Sequence, residues 1–443
     1  MKRLAPPHVL ILGFLSIILF GAVLLLTPIA TVDGISFIDA LFTSTSAVCV
    51  TGLIVKNTHA DFTLFGKIII LLLIQIGGLG YMTSATIISL LVGKRIGLGE
   101  RVVMKEALNV LSIGGVVKFT KAVLLTTILV ETAGAVVLTL RFMLDYPAGH
   151  AFFLGLFHSV SAFNNAGFSL FPDNLMRYRV DFTVNLVIML LIVIGGLGFL
   201  VVTDLLSYWR KETLRLSFHT KIVLTITSAL IVIGAVLVFV FESGKGKTFG
   251  SMSFAEKVLA SFFASVTART AGFNTVDYSA LRLETVFMSI VLMFIGASPG
   301  STGGGIKTTT FAVVMSSLCS TLRSHRDAIM FKRRLPLETI SKSYMTIAFS
   351  ALLIIVVTVL VLRLEGVTYL PAVFEVVSAF GTVGLSIGNG GVLSLSALFS
   401  PVGKALIVAT MFAGRLGPLT LAVAVARKGE AHYRYPEGKV MIG

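Results

Sequence analysis

The chain has 443 residues, of which 56% are hydrophobic and only 13% charged, with a formal net charge of +15. That balance is far from the usual soluble globular domain and points to a membrane protein. It also argues against nucleic acid as the partner of the positive charge, because more than half of the 36 Lys and Arg gather in short segments between apolar stretches, as cytoplasmic loops do. Cys49 and Cys319 lie in separate apolar segments and imply neither a disulfide framework nor a metal site.

In chain order, Lys2 and Arg3 precede an apolar stretch from His8 to Ile29, too long for a signal core, which is expected as a retained first span. Basic connections follow at Lys94 to Lys121, Arg210 to Lys221 and Arg323 to Lys342, with a basic tail from Arg427. All of these, and both termini, are expected on the cytoplasmic side. Between successive connections lie two long apolar stretches with a shorter amphipathic piece between them, and this unit occurs four times. First helices are expected near 8–29, 121–143, 221–241 and 344–363, and closing helices near 66–92, 184–209, 285–322 and 403–426, of which only the third reads as broken. The repeats therefore occupy 1–93, 121–210, 221–322 and 344–426, joined by connections at 94–120, 211–220 and 323–343, with the tail at 427–443. Because each unit crosses twice, the repeats run parallel. The fold class is an all-α polytopic membrane protein of four tandem helix, pore loop, helix repeats, with eight transmembrane helices, four re-entrant pore helices and pseudo-fourfold symmetry around one pore.

The pieces between the paired helices end in SAVCVTGL at 46–53, SAFNNAGF at 161–168, SVTARTAGF at 265–273 and SAFGTVGL at 378–385. Their glycines, Gly52, Gly167, Gly272 and Gly384, are 115, 105 and 112 residues apart, a period that implies symmetry about one axis. The preceding pieces, such as ISFIDALFTSTSA and FAEKVLASFFASVT, are too short to cross ~30 Å of hydrocarbon and are expected to enter and turn back. Irregular backbone at that depth must be buried in protein or line water. Stacked rings of backbone carbonyls suit a dehydrated potassium ion, and a glycine in each loop frees the backbone to turn its carbonyls inward. The residues before the glycines, Cys49, Val50 and Thr51, Asn164, Asn165 and Ala166, Arg269, Thr270 and Ala271, and Gly381, Thr382 and Val383, would supply the neighbouring rings.

These loops, together with IQIGGLGYMT at 74–83, SAFNNAGFSLFPDNLM at 161–176, TARTAGFN at 267–274 and FAGRLGPLT at 412–420, resemble the membrane subunits of bacterial Ktr potassium-uptake systems, within the Trk/Ktr/HKT superfamily of cation transporters. The resemblance covers essentially the whole chain. The absence of leading helices before the first span favours the Ktr branch. Gly52, where relatives that favour sodium tend to carry serine, implies potassium. The resemblance further implies a homodimer with one pore per protomer in a bacterial plasma membrane, and a separate cytoplasmic ring of RCK subunits that binds adenine nucleotides. Sodium enters either as a coupled ion or as an activator. No organic cofactor is expected on this chain, whose GGLG strings sit inside apolar helices rather than in a dinucleotide-binding unit. The basic connections would dock the regulator, set topology or meet anionic lipid.

In the third closing helix, Gly296, Ala297, Ser298, Pro299, Gly300, Ser301, Thr302, Gly303, Gly304 and Gly305 cannot continue a helix. The segment lacks the ending of a phosphate loop. By resemblance it is a gating loop beneath the filter. Arg415, about eleven residues into the last helix, must face water or a partner. The resemblance places it in the cavity below the filter, and a structural ion pair is the alternative. Lys307 is expected to anchor at the cytoplasmic edge. Glu256 and Glu375 either raise local cation concentration or satisfy backbone groups. The tail HYRYPEGKVMIG resembles a segment contributing to dimer contacts. No nucleophile and base pair, metal cluster or carboxylate dyad appears, so no enzymatic reaction is expected. Parallel repeats argue against a transporter built on inverted ones.

Overall fold

The computed structural model describes residues 6–80, 116–244, 248–250, 252–325, 327–388 and 392–425. Lys2 and Arg3, most of the first basic connection, the far end of the closing helix expected at 66–92 and the tail from Arg427 lie outside the described residues.

The first unit contains α1 (Pro6–Leu25), α2 (Phe37–Val48) and α3 (Leu64–Leu79). The second contains α4 (Val116–Phe142), α5 (Ala148–Phe163), α6 (Phe182–Leu197) and α7 (Phe199–Trp209). The third contains α8 (Phe218–Glu242), α9 (Phe254–Thr267), α10 (Leu283–Phe294) and α11 (Thr308–Leu322). A small antiparallel hairpin, β1 (Ile329–Met330) and β2 (Arg333–Arg334), precedes the fourth unit. That unit contains α12 (Leu337–Glu365), α13 (Tyr369–Gly381), α14 (Pro401–Leu416) and α15 (Pro418–Val425). The opening helices α1, α4, α8 and α12 are each long and apolar enough to cross a membrane. Phe20, Leu125, Val240 and Ile355 on them stand at least 60% exposed, a surface that suits lipid and not water.

The short helices begin in polar caps and end in buried backbone. Ser36 caps α2 by accepting from the Asp39 N–H, and Ser253 with Glu256 closes a capping box at α9. Glu256 thus serves the backbone of its own helix. Further along, one contact recurs in three units. Ser44, Ser159 and Ser265 donate to the carbonyls of Ile18, Glu131 and Ile231 on the opening helices, at 2.7, 2.6 and 2.8 Å. Gly21, Gly134 and Gly234 make room for those hydroxyls, since a Cβ there would come within 2.4 to 2.6 Å of them. Small residues let helices approach closely in lipid, where association has no hydrophobic driving force.

The closing helices depart from expectation. The stretches expected as unbroken helices at 184–209 and 403–426 are each interrupted, at Gly198 (φ 93°) and Gly417 (φ 86°), and α3 ends at Gly80 (φ 81°). The axes of α6 and α7 differ by 101°. Positive φ cannot belong to a right-handed helix, and the apolar residues on both sides of each glycine hid the break. The third interruption runs from Ile295 to Lys307, where Ile295 and Ile306 bridge in parallel. Before these breaks, Gly77, Gly195 and Gly414 press against the last carbonyls of the short helices. A Cβ at these positions would lie 2.0 Å from Val48 O, 1.8 Å from Phe163 O and 1.9 Å from Phe380 O.

Gly195→Ala therefore has no room, and overpacking against backbone is expected to remove about 2 kcal/mol or more. Thermal unfolding in detergent should show it well below the parent. Gly149→Ala, where a Cβ meets nothing within 4 Å, is expected to leave the transition unchanged or raise it.

Candidate functional site

Each short helix runs at its C-terminus into one of the four glycine loops, and the loops follow one local plan. The glycine takes positive φ, 87° at Gly52, 68° at Gly167, 77° at Gly272 and 91° at Gly384. So does the residue two before it, Val50, Asn165, Thr270 and Thr382, with φ from 48° to 74°. A β-branched residue in this region is a genuine outlier that its surroundings must hold. Backbone bonds to the short helix do so: Thr51, Ala166 and Val383 N–H each donate at 2.8 Å to the carbonyl of Ser46, Ser161 and Ser378. In the third loop, Ala271 N–H donates to Thr267 O at 3.0 Å.

The same serines and threonine also bind through their hydroxyls. Gly52 N–H donates to Ser46 Oγ at 3.0 Å and Gly384 N–H to Ser378 Oγ at 3.1 Å. Ser161 Oγ donates to Phe168 O at 2.8 Å and Thr267 Oγ1 to Phe273 O at 2.5 Å. These positions open the motifs quoted above, yet their role was not read from them.

The loops meet. A Cβ on Gly52 would lie 2.5 Å from Ala166 O, on Gly167 2.7 Å from Ala271 O, on Gly272 2.2 Å from Val383 O and on Gly384 2.3 Å from Thr51 O. Each glycine thus abuts the carbonyl preceding the next, in the closed order 52, 167, 272, 384 and back to 52. Only a residue without a side chain permits the ring to close at this radius. All four glycines line one recess, whose wall also carries Asn57, Ser169, Asn174, Asn274, Ser386 and Ser394. The C-terminal ends of four helices converge on the ring, and their partial negative charge favours a cation there.

Against the helix-end side of the ring lies the segment from Gly296 to Gly305. Thr302 Oγ1 donates to Phe163 O at 3.2 Å, Gly304 N–H to Thr382 Oγ1 at 3.0 Å, and Arg269 Nη2 to Gly296 O at 3.5 Å. Towards α6, Ser298 and Thr302 N–H donate to the carbonyls of Gly196 and Gly195. Phe199 N–H returns a bond to Gly300 O at 2.9 Å. Ser301 Oγ donates to Ser298 O and Thr308 Oγ1 to Ser298 Oγ, so the segment is also tied within itself. Ala297, Ser298 and Thr302 are buried. Lys307, expected as an edge anchor, instead turns its ammonium back onto Gly303 O at 2.8 Å, satisfying a carbonyl of the non-helical segment.

Arg415 completes this side. Its guanidinium donates to Thr302 O and Gly77 O, and to Gly78 O at 3.3 Å. It joins the interrupted segment to the end of α3 through carbonyls, and among the described residues it makes no ion pair. The strings GGLG at 77–80 and 195–198 correspond to GRLG at 414–417, so Arg415 takes the place held by Gly78 and Gly196 in other units. A side chain at Gly78 would collide with Asn164, since a Cβ there would lie 2.0 Å from Asn164 Oδ1.

Sequence reasoning missed a second polar group. Glu131, buried on α4, accepts from Gln75 Nε2 at 3.2 Å and Asn164 Nδ2 at 2.9 Å, and Asn164 Nδ2 also lies 2.9 Å from Gln75 Oε1. A lone acid in a spanning segment is a signal in itself. His158, also unread, bridges Leu154 O and Ser169 Oγ within α5 and the second loop. Glu375 accepts from Ser386 Oγ, Ser396 N–H and Ser396 Oγ, tying α13 to the chain beyond its loop. Of these three donors one is a backbone N–H and two are serine hydroxyls.

Glu131→Ala would leave Gln75 Nε2 without the acceptor it has here and take from Asn164 Nδ2 one of its three, at about 1–3 kcal/mol in all. Its unfolding temperature in detergent is expected to fall clearly below the parent, with Glu131→Gln, which keeps one acceptor, between the two.

The TrkH family model, described as a cation transport protein, matches residues 18–432. Among curated relatives, the Ktr system potassium uptake protein B of Bacillus subtilis is 44% identical over 442 residues, covering 100% of this chain and 97% of the relative. The protein of the same description from Vibrio alginolyticus is 40% identical, covering 99% and 95%. The potassium/sodium uptake protein NtpJ of Enterococcus hirae is 37% identical, covering 100% and 98%. Among solved structures, the potassium transporter TrkH of Vibrio parahaemolyticus superimposes with a TM-score of 0.76 at 19% identity, over 96% of this chain and 86% of that one, a likeness of fold.

Proposed function

The chain belongs to the TrkH family of cation transport proteins, and from that premise we propose that it is the potassium-translocating subunit of a Ktr-type uptake system, with a carbonyl filter at the four-glycine ring. The observation that carries this reading is the closed ring itself, in which each glycine lies against the carbonyl before the next. Rings of carbonyls can replace the hydration shell of potassium without a fixed charge to trap it. The relatives described as potassium uptake proteins agree with the choice of ion, and the one described as a potassium/sodium uptake protein leaves a place for sodium beside it.

In this reading residues 296–305 are the gate. They lie across the path below the ring, held to three of the four loops and to Arg415. Arg415 adds a positive charge that resists cation passage in a poorly screened cavity. A separate cytoplasmic subunit of the RCK type, binding adenine nucleotides, biases the gate through α11, which continues directly from the segment and packs on the β1–β2 hairpin. Two copies form a homodimer in a bacterial plasma membrane, with both termini cytoplasmic. The lipid-facing surfaces of the opening helices suit that setting.

Gly52→Ser tests the ring. A side chain at φ 87° costs about 1–3 kcal/mol, and its Cβ would displace Ala166 O, so rubidium over sodium selectivity in vesicles is expected to fall by about tenfold. Parent selectivity in a well-inserted variant would remove Gly52 from the filter. Deleting part of the stretch between Ala297 and Gly304 tests the gate. Uptake by the deletion variant is expected to be faster than the parent's and less dependent on the regulatory subunit, and equal rates with equal dependence would place the gate elsewhere.

A further inference from the structure

Of the four residues that share positive φ two places before the ring glycines, one bonds the interrupted segment through its side chain. Val50 has no acceptor to offer. Thr270 Oγ1 only crowds Gly303, whose Cβ would lie 2.2 Å away. Thr382, at φ 48° and ψ 53°, accepts the Gly304 N–H on Oγ1 at 3.0 Å, and the fit is close enough that a Cβ on Gly304 would lie 2.5 Å from that oxygen. Thr382 and Gly304 are both buried, so the bond is not in exchange with bulk water.

We propose that the Thr382 hydroxyl is the latch that holds the interrupted segment closed against the ring, so that Thr382 is a positioning residue for gating. The proposal rests on the reading of residues 296–305 as the gate. Several contacts hold the segment, but they differ in what opening requires. The bonds from Ser298 and Thr302 N–H to Gly196 and Gly195 fix its near side to α6, and Phe199 N–H fixes Gly300 to the start of α7. These can act as a hinge that stays made. The far side, from Gly303 to Gly305, reaches across to the fourth unit, where Thr382 is its side-chain partner and Arg415 holds the neighbouring Thr302 O. Swinging the segment off the axis about its α6 side must break the Gly304–Thr382 bond. The geometry of Thr382 makes it a fixed partner: its backbone is held in a sparsely populated conformation by Val383 N–H on Ser378 O and by its own N–H on Ala379 O. The hydroxyl is therefore presented to Gly304 by the ring loop and does not follow the segment when it moves. A fixed acceptor and a mobile donor make a switch with two discrete states.

The test uses the purified full-length chain in lipid vesicles, with rubidium uptake as the rate and rubidium against sodium competition as a measure of the ring. Thr382→Val keeps the branched shape and removes the acceptor. Losing one neutral hydrogen bond from the closed state shifts the balance by about fivefold, so uptake is expected to rise by about that factor with selectivity retained. Thr382→Ser restores the acceptor and brings the rate back towards the parent's. In the background of a deletion within this stretch that takes out Gly304, Thr382→Val should add nothing, because its donor is gone. A merely structural role would lower uptake in Thr382→Val and would not be rescued by serine. Uptake at the parent rate in Thr382→Val, while the deletion variant is fast, would overturn the latch and leave the gate standing. Parent rates in both would overturn the gate and the latch with it. A fast Thr382→Val with lost selectivity would also overturn the latch, since the rise would then come from damage to the ring. Should the valine variant fail to insert, Thr382→Ala reads the same loss of acceptor with less bulk.

Discussion

Non-helical backbone at membrane depth cannot face lipid, so the N–H and C=O groups in the four glycine loops and the interrupted segment must find partners within the protein or line a hydrated cavity. That constraint accounts for much of the packing around the ring. It explains why the short helices stop inside the structure and hand their last carbonyls to bonds from their own loops, and why a serine or threonine opens each loop. It also explains the glycines of the closing helices, which let one backbone approach another's carbonyl where a methyl group would not fit. In the proposed reading, the carbonyls left facing inward are the ones that bind the cation.

The four units answer the constraint differently. In the first, second and fourth, a closing helix passes beside the short helix and breaks one turn later at a glycine of positive φ. The third opens into a long segment that bonds its neighbours on both sides. The fourth substitutes Arg415 for the small residue of its counterparts, and the guanidinium spans from the third unit's segment to the first unit's helix end. Five N–H donors in a rigid fork suit a place where several carbonyls converge without a carboxylate. The pseudosymmetry of the ring and the asymmetry beneath it thus belong to separate layers.

The layer of the ring was largely legible in the sequence, because glycines recurring at a near-constant period after short apolar runs are visible without knowledge of contacts. The position two residues earlier was not. Val50, Asn165, Thr270 and Thr382 have nothing in common as residue types, and their shared conformation is imposed by the bonds around them. The breaks at Gly198 and Gly417 escaped for the opposite reason: their glycines are surrounded by residues that favour a continuous apolar helix, and glycine within a span is ordinarily a packing residue. Glu131 was legible as a lone acid among LTTILVETAGAV, yet its partners, Gln75 and Asn164, come from α3 and the second loop, and only folding brings them together.

Glu131 also shows how the outer layer reaches the inner one. Its carboxylate faces two amides, and Asn164 is the first residue after α5, within the second loop. The side chain of Asn164 lies against Gly78, whose carbonyl receives Arg415. Hydrogen bonds therefore run from an opening helix through Gln75 to Asn164, whose side chain packs against the Gly78 backbone that also receives Arg415. The second loop is consequently held in place from its flank as well as from its own short helix. The fourth loop has Glu375 in a comparable supporting role, but that carboxylate is bound to serines beyond the loop, on the side of the recess. Support from the recess side leaves the underside of the fourth loop available to Gly304, whereas in the second loop the flank beside Gly78 is already taken by Asn164.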